Sequence, residues 1–150
     1  MLNVKDLHVS YGQSEALHGL SFSAAPNETI AIMGRNGMGK TTLFKSLIGM
    51  LPVGAGTISL AGRELQREES HRRVAAGMAY VPQGRMIFPT LTVEENIQTG
   101  LEHVKPRRIP DEIYALFPVL HEMRNRKGGN LSGGQQQQLA IARALVTNPK

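Results

Sequence analysis

The stretch that most narrows the possible fold is GRNGMGKT, residues 34–41, set between ETIAIMG and TTLFKSLIGM. The run before it, with Ile30 and Ile32, reads as a strand buried on both faces. Behind it Leu43, Leu47 and Met50 recur at helical spacing. Strand, glycine-rich turn and helix in that order describe the start of an α/β core. The turn fits G-x-x-x-x-G-K-[ST]. Gly34, Gly37 and Gly39 allow left-handed backbone and bring amide N–H groups against phosphate oxygens with no Cβ in the way. Arg35, Asn36 and Met38 fill the loop between them. Lys40 is placed to reach β- and γ-phosphates, Thr41 to ligate Mg²⁺, and Thr42 completes the set. The plain alternative is a turn with a solvated lysine, but strand, lysine, threonine and helix together favour a nucleoside triphosphate.

Elsewhere LNVKDLHVSY alternates apolar and polar residues through Leu2, Val4, Leu7 and Val9, with one slip that a bulge would explain. ALHGLSFSA repeats the theme with Leu17, Leu20 and Phe22, and AGTISLAG reads as a further strand. QREESHRRVAAG predicts an amphipathic helix closed by Gly77, and MAYVPQ a short buried strand ended by Pro82. Thr92 and Glu95 have capping-box spacing and start a helix running to about Leu101. EHVKPRRIP reads as a loop, DEIYALFPVLHEM as a helix broken at Pro118, and RNRKGGN as a turn. The expected fold is thus an α/β core with an antiparallel β subdomain and, over about 84–130, a helical insertion.

At 150 residues the chain is one domain's worth, and 41% hydrophobic with 19% charged residues is a globular composition. No apolar run approaches the ~18 residues of a membrane span. The N-terminal MLNVKDLHVSYG has charges in its first eight residues and no unbroken apolar core, unlike a secretory signal. There is no cysteine, hence no disulfide and no thiolate metal site, which fits a cytosolic setting. The net charge of +5 does not point to nucleic acid, because the signs are mixed: residues 1–83 carry 8 basic and 6 acidic groups, and 84–130 carry 7 and 6.

The tail LSGGQQQQLAIARALVTNPK poses a second constraint. Ser132 and Gln135 have capping-box spacing, and Gly133 and Gly134 leave first-turn N–H groups uncovered for an anion. A plain cap after the Gly128–Gly129 turn is the alternative. LSGGQ at 131–135 resembles the signature motif of ATP-binding cassette (ABC) proteins, which are P-loop NTPases. Tyr11 in SYG resembles the aromatic residue that stacks on adenine there, although a half-buried strand tyrosine would look the same. Gln83 in VPQ resembles the glutamine that contacts Mg²⁺ and the attacking water, which with Lys40 gives two catalytic candidates.

Over nearly the whole chain, MGRNGMGKTT, PQGRMIFPTLTVEENIQTGL and LSGGQQQQLAIARAL are similar to the ATP-binding subunits of branched-chain amino acid importers, most of all the urea-type member. The resemblance implies ATP and Mg²⁺ as cofactors and a head-to-tail pair of nucleotide-binding subunits. Ser132, Gly133, Gly134 and Gln135 would face the γ-phosphate held by the other subunit. It also implies a peripheral position on the cytoplasmic face of the membrane. Integral permease subunits would dock near Phe88, Pro89 and Leu91, with a substrate-binding protein linked indirectly.

The family pattern continues with an apolar strand ending in an aspartate and a glutamate, then a histidine. Here no acidic residue follows Glu122, and Asp111, Glu112 and all five histidines (8, 18, 71, 103 and 121) precede the signature. The expectation is a domain truncated before the Walker B strand, inactive in hydrolysis and poorly folded alone. Two other readings stand beside it: a short, inactive nucleotide-binding regulatory partner, and a soluble cassette acting on ribosomes or DNA.

Overall fold

A computed structural model describes residues 1–102 and 107–150. His103 and part of the loop expected at 102–110 lie outside the described residues. The chain forms two compact units, residues 1–76 and 77–150.

In the first unit, β1 (Leu2–Tyr11) pairs antiparallel with β2 (Ser14–Ala24), and β3 (Ala55–Leu60) pairs antiparallel along the other side of β1. A two-residue turn, Ala61 and Gly62 with φ of 49° and 82°, leads into β4 (Arg63–Glu64). Two successive positive φ values match the right-handed twist of a hairpin. The sheet order is β2-β1-β3-β4. The slip in β1 is a bulge at Asp6, whose φ is 48°, and it returns Leu7 and Val9 to the face that buries Val4. Opposite it Gly56 has φ +93°, and a Cβ there would lie 2.2 Å from Asp6 O, so the bulge requires glycine across the ladder. Leu17, Ile58, Leu60 and Leu65 complete the buried face, with Leu43, Leu47 and Ile48 from and just after α1 (Lys40–Leu47).

α2 spans only Ser70–Ala75, and Gly77 beyond it has φ 109° as a helix-ending glycine should. Its Arg73 is 2% exposed and donates to four carbonyls: Ser46 (2.7 Å), Leu47 (2.8 Å), Glu68 (2.8 Å) and Gln66 (3.1 Å). The first two are carbonyls at the C-terminal end of α1, where a cation is favoured.

Two expected strands are corrected. ETIAIMG and MAYVPQ run as irregular chain, and Ile30 and Met33 are 37% and 89% exposed. An apolar run becomes a strand only where a neighbour takes its N–H and C=O groups, and no ladder reaches either segment among the described residues. Met50 is also exposed: α1 has already ended, Gly49 has φ 83°, and Ile48 is the buried residue instead.

The second unit is helical. α3 (Val93–Gln98) runs on as a 3₁₀ turn through Leu101, α4 (Asp111–Leu116) and α5 (Pro118–Glu122) break at Phe117–Pro118, and α6 covers Gly133–Leu145. Val93, Ile97, Leu101, Ile113 and Leu120 pack with Leu131, Leu139, Ala142 and Val146 in one core. Each large aliphatic side chain so buried contributes about 1.5–3 kcal/mol. Gly100 lets the 3₁₀ turn cross α6 closely, since a Cβ there would meet Arg143 O at 2.4 Å.

Candidate functional site

The loop at 34–42 is built around Lys40. Its Nζ donates to Gly34 O (2.5 Å) and Arg35 O (2.7 Å), so the ammonium is held against the turn. Gly37 and Gly39 have φ of 83° and 81°. Gly39 is the N-cap of α1 and contributes no side chain, and no acidic residue lies in the first turn. A Cβ at Gly39 would meet Ala16 O and Leu17 Cδ2 at 2.9 Å, so the loop rests directly on β2. The same glycines and Lys40 line an open cleft of about 550 Å³ against Glu15–Ser21. Exposed amides, a helix N-terminus and a lysine in one turn make a site for a polyanion.

Thr41 is exposed and Thr42 buried; Tyr11 reaches Thr42, with Oη 3.4 Å from Thr42 Oγ1. Tyr11 is half exposed, so its hydroxyl is tethered beside the loop while the ring stays accessible. On the same sheet His8 contacts Glu15 (2.5 Å) and Asp6 (3.3 Å), and His18 contacts Glu15 (3.0 Å). Glu15, then Asp6, raise the His8 imidazole above its ordinary value, and His8 holds the Glu15 carboxyl below its own.

In the second unit the capping boxes are both formed. Ser132 Oγ accepts from Gln135 N–H (3.3 Å) and Gln135 Oε1 from Ser132 N–H (2.9 Å), opening α6 where expected. Thr92 and Glu95 do the same for α3 (3.1 and 2.7 Å). Gln83 is exposed in irregular chain. Tyr11 and residues 34–42 thus gather in the first unit, and Gln83 and 132–135 belong to the second. Among the described residues no group of three His, Asp or Glu side chains forms a metal centre.

Four side chains gave no signal in the sequence. Arg73 anchors α1, as described. Asn96, fully buried, accepts from Phe88 N–H (2.8 Å) and donates to the carbonyls of Phe88 (2.9 Å), Leu91 (3.2 Å) and Thr92 (2.8 Å), clamping the segment that holds Phe88, Pro89 and Leu91. Arg85 donates to Gly133 O (3.0 Å) and Arg143 to Met86 O (2.8 Å). Each arginine reaches a backbone carbonyl 26 to 57 residues away, which no local spacing encodes, and Asn96 folds back on carbonyls four to eight residues before it.

The sequence pattern of the ABC transporter family matches residues 17–150. The chain belongs to the ABC transporter ATP-binding domains. It is 37% identical over 153 residues to the high-affinity branched-chain amino acid transport ATP-binding protein BraG of Pseudomonas aeruginosa, covering all of this chain and 66% of that one. It is 38% identical over 149 residues to the probable branched-chain amino acid transport ATP-binding protein LivF of Archaeoglobus fulgidus, covering 97% and 63%. The chain therefore spans less than two thirds of the length of these relatives. A dimeric bacterial ABC transporter cassette superposes with a TM-score of 0.82 at 26% identity, over 99% of this chain and 71% of the other. The fold is that of the ABC ATPases, of mixed α/β type with an antiparallel sheet.

Proposed function

We propose that the protein binds MgATP at residues 34–42 as the energy-coupling subunit of an importer. The observation that carries this is Lys40, whose ammonium is already directed into the glycine turn by two loop carbonyls. A triphosphate entering there meets the lysine, the Gly37 and Gly39 backbone and the α1 N-terminus together. Tyr11 presents its ring to the base. Thr41 and Gln83 offer neutral oxygen ligands of the kind Mg²⁺ accepts alongside phosphate and water. Bound Mg²⁺ would neutralise charge between the phosphates.

Ser132, Gly133, Gly134 and Gln135 then serve a second copy, closing head to tail on its γ-phosphate. Such closure distinguishes ATP from ADP by differential binding to the closed state. Phe88, Pro89 and Leu91 dock a membrane permease, which receives substrate from a separate binding protein. The similarity to BraG and LivF supports branched-chain amino acids as cargo; urea is the alternative cargo. The same docking places the subunit peripherally on the cytoplasmic face. No helix among the described residues is long and apolar enough to cross a membrane.

The test is equilibrium binding of a fluorescent ATP analogue. Lys40→Ala should weaken binding at least tenfold, about 1.4 kcal/mol, and undiminished affinity would remove the phosphate-loop assignment. Ser132→Arg should leave monomer binding intact and abolish ATP-driven dimerisation; a normal dimer would refute the cross-subunit role.

A further inference from the structure

Arg85 and Met86 are consecutive non-glycine residues with positive φ, 68° and 46°, directly after Gly84 at 83°. Met86 N–H donates to Gly84 O at 2.7 Å, closing a three-residue γ-turn about Arg85. L residues adopt that hand of γ-turn rarely, and only where the surroundings over-determine it. Here α6 does so from both ends. Arg85 Nη1 donates to Gly133 O at 3.0 Å, and Arg143 Nη2 donates to Met86 O at 2.8 Å with its guanidinium 5.3 Å from the Phe88 ring. The strained turn begins one residue after Gln83.

The acceptor atom matters. Gly133 O belongs to the same planar peptide unit as Gly134 N–H, and in a trans peptide the two point in opposite directions. A guanidinium fixed on that oxygen therefore fixes the direction of the Gly134 N–H and strengthens it as a donor. The capping box uses Ser132 N–H and Gln135 N–H, not Gly134 N–H. Nothing lies within 4 Å of where a Gly134 Cβ would stand, whereas a Gly133 Cβ would sit 2.8 Å from Arg85 Nη1. The two glycines thus have different reasons: Gly133 makes room for the arginine, and Gly134 stays bare.

Resting on the function proposed above, we infer that Arg85 is a positioning residue for the signature turn. Through Gly133 O it holds the Gly134 peptide in the orientation that meets the triphosphate of a second copy, and it ties that peptide to the segment bearing Gln83.

The test uses the full-length protein, with ATP-driven dimerisation followed by sedimentation and monomer ATP affinity measured separately. Arg85→Ala should weaken the dimer by about three- to tenfold, the scale of one hydrogen bond, and leave monomer ATP affinity within about twofold. Arg85→Lys, which keeps a donor long enough to reach Gly133 O, should recover most of the loss. Gly133→Ala should displace the guanidinium and weaken the dimer too, and the two changes together should cost less than the sum of their separate losses. Wild-type dimerisation of Arg85→Ala alongside a blocked Ser132→Arg would overturn the inference. So would a lysine variant no better than alanine, or losses that simply add. If Ser132→Arg itself dimerises, the cross-subunit reading falls instead. Should Arg85→Ala not fold, Arg85→Lys and Gly133→Ala decide the matter by the same criteria.

Discussion

Asn96 offers the sharpest test of how the second unit is held. Its amide makes four hydrogen bonds to the segment 88–92 from a fully buried position. Replacement by alanine does not strand all of them. Leu91 O also accepts from Gly128 N–H (2.8 Å) and Thr92 O from Asn96 N–H (2.9 Å), so those carbonyls keep partners. Phe88 N–H and Phe88 O lose theirs, at about 1–3 kcal/mol each where water cannot reach. Phe88 is 46% exposed, so some water does reach, and we expect about 2–4 kcal/mol in total. At roughly 2–4 °C per kcal/mol for a chain of this size, the thermal midpoint should fall by ~5–15 °C. Asn96→Asp is the decisive companion. It keeps an acceptor for Phe88 N–H but turns a carboxylate oxygen toward three carbonyls. At pH 7 it should be less stable than the alanine variant despite its smaller change in shape. Burial and those carbonyls raise its folded pKa above the unfolded value of about 3.9. The penalty should therefore be absent below pH ~4 and grow as pH rises, because the folded state binds the extra proton. Urea melts at pH 4 and pH 7 read both effects. An aspartate variant as stable as wild type at pH 7, or a gap independent of pH, would refute the reasoning.

Three further outcomes follow from the first unit, and one contrast from the second. Arg73→Met keeps the apolar stem but removes the donor to four carbonyls, and should cost about 3 kcal/mol or more in urea unfolding. Arg108→Met, by contrast, breaks only an exposed 3.4 Å contact to Asp111 and should stay within about 0.5 kcal/mol. Gly39→Ala forces an L side chain into φ +81° and against Ala16 O, so it should lower ATP-analogue affinity at least as much as Lys40→Ala. The His8–Glu15 contact should impose a pH optimum on thermal stability. The raised His8 contributes fully below its ordinary 6.5 and loses its contribution as pH rises through the higher folded value. The lowered Glu15 contributes above 4.5 and is lost on acidification. A His8→Gln variant should flatten the decline above pH 6.5 in a thermal-melt series, and an unchanged slope would exclude the pair as its source.

Much of this was legible in the residues because it is local. The β1 slip, both capping boxes, the break at Pro118 and the glycine turn each depend on side chains within a few positions of one another, where spacing carries the physics. The expected strands at 28–34 and 78–83 failed for the converse reason. Apolar residues such as Ile30 and Ile32 state a preference for burial, but a strand is a property of two segments, and one segment's sequence does not name its neighbour.

The arginines sharpen that distinction. A run of glycines before a helix looks, in sequence, like one device for exposing amides to an anion. In the structure the two glycines of the signature turn differ, and what separates them is Arg85, 48 residues away along the chain. Its reach is allowed by a backbone conformation that propensity alone would forbid, and Arg143 supports that conformation by returning from α6 to the neighbouring carbonyl. Neither contact contributes more than a hydrogen bond's worth of stability. Their effect is directional: they convert a strained turn beside Gln83 into a constraint on one peptide plane at Gly134. A site assembled from amides is served by such constraints, because a backbone donor, unlike a side chain, is aimed by its peptide plane and so by whatever holds the carbonyl of the residue before it.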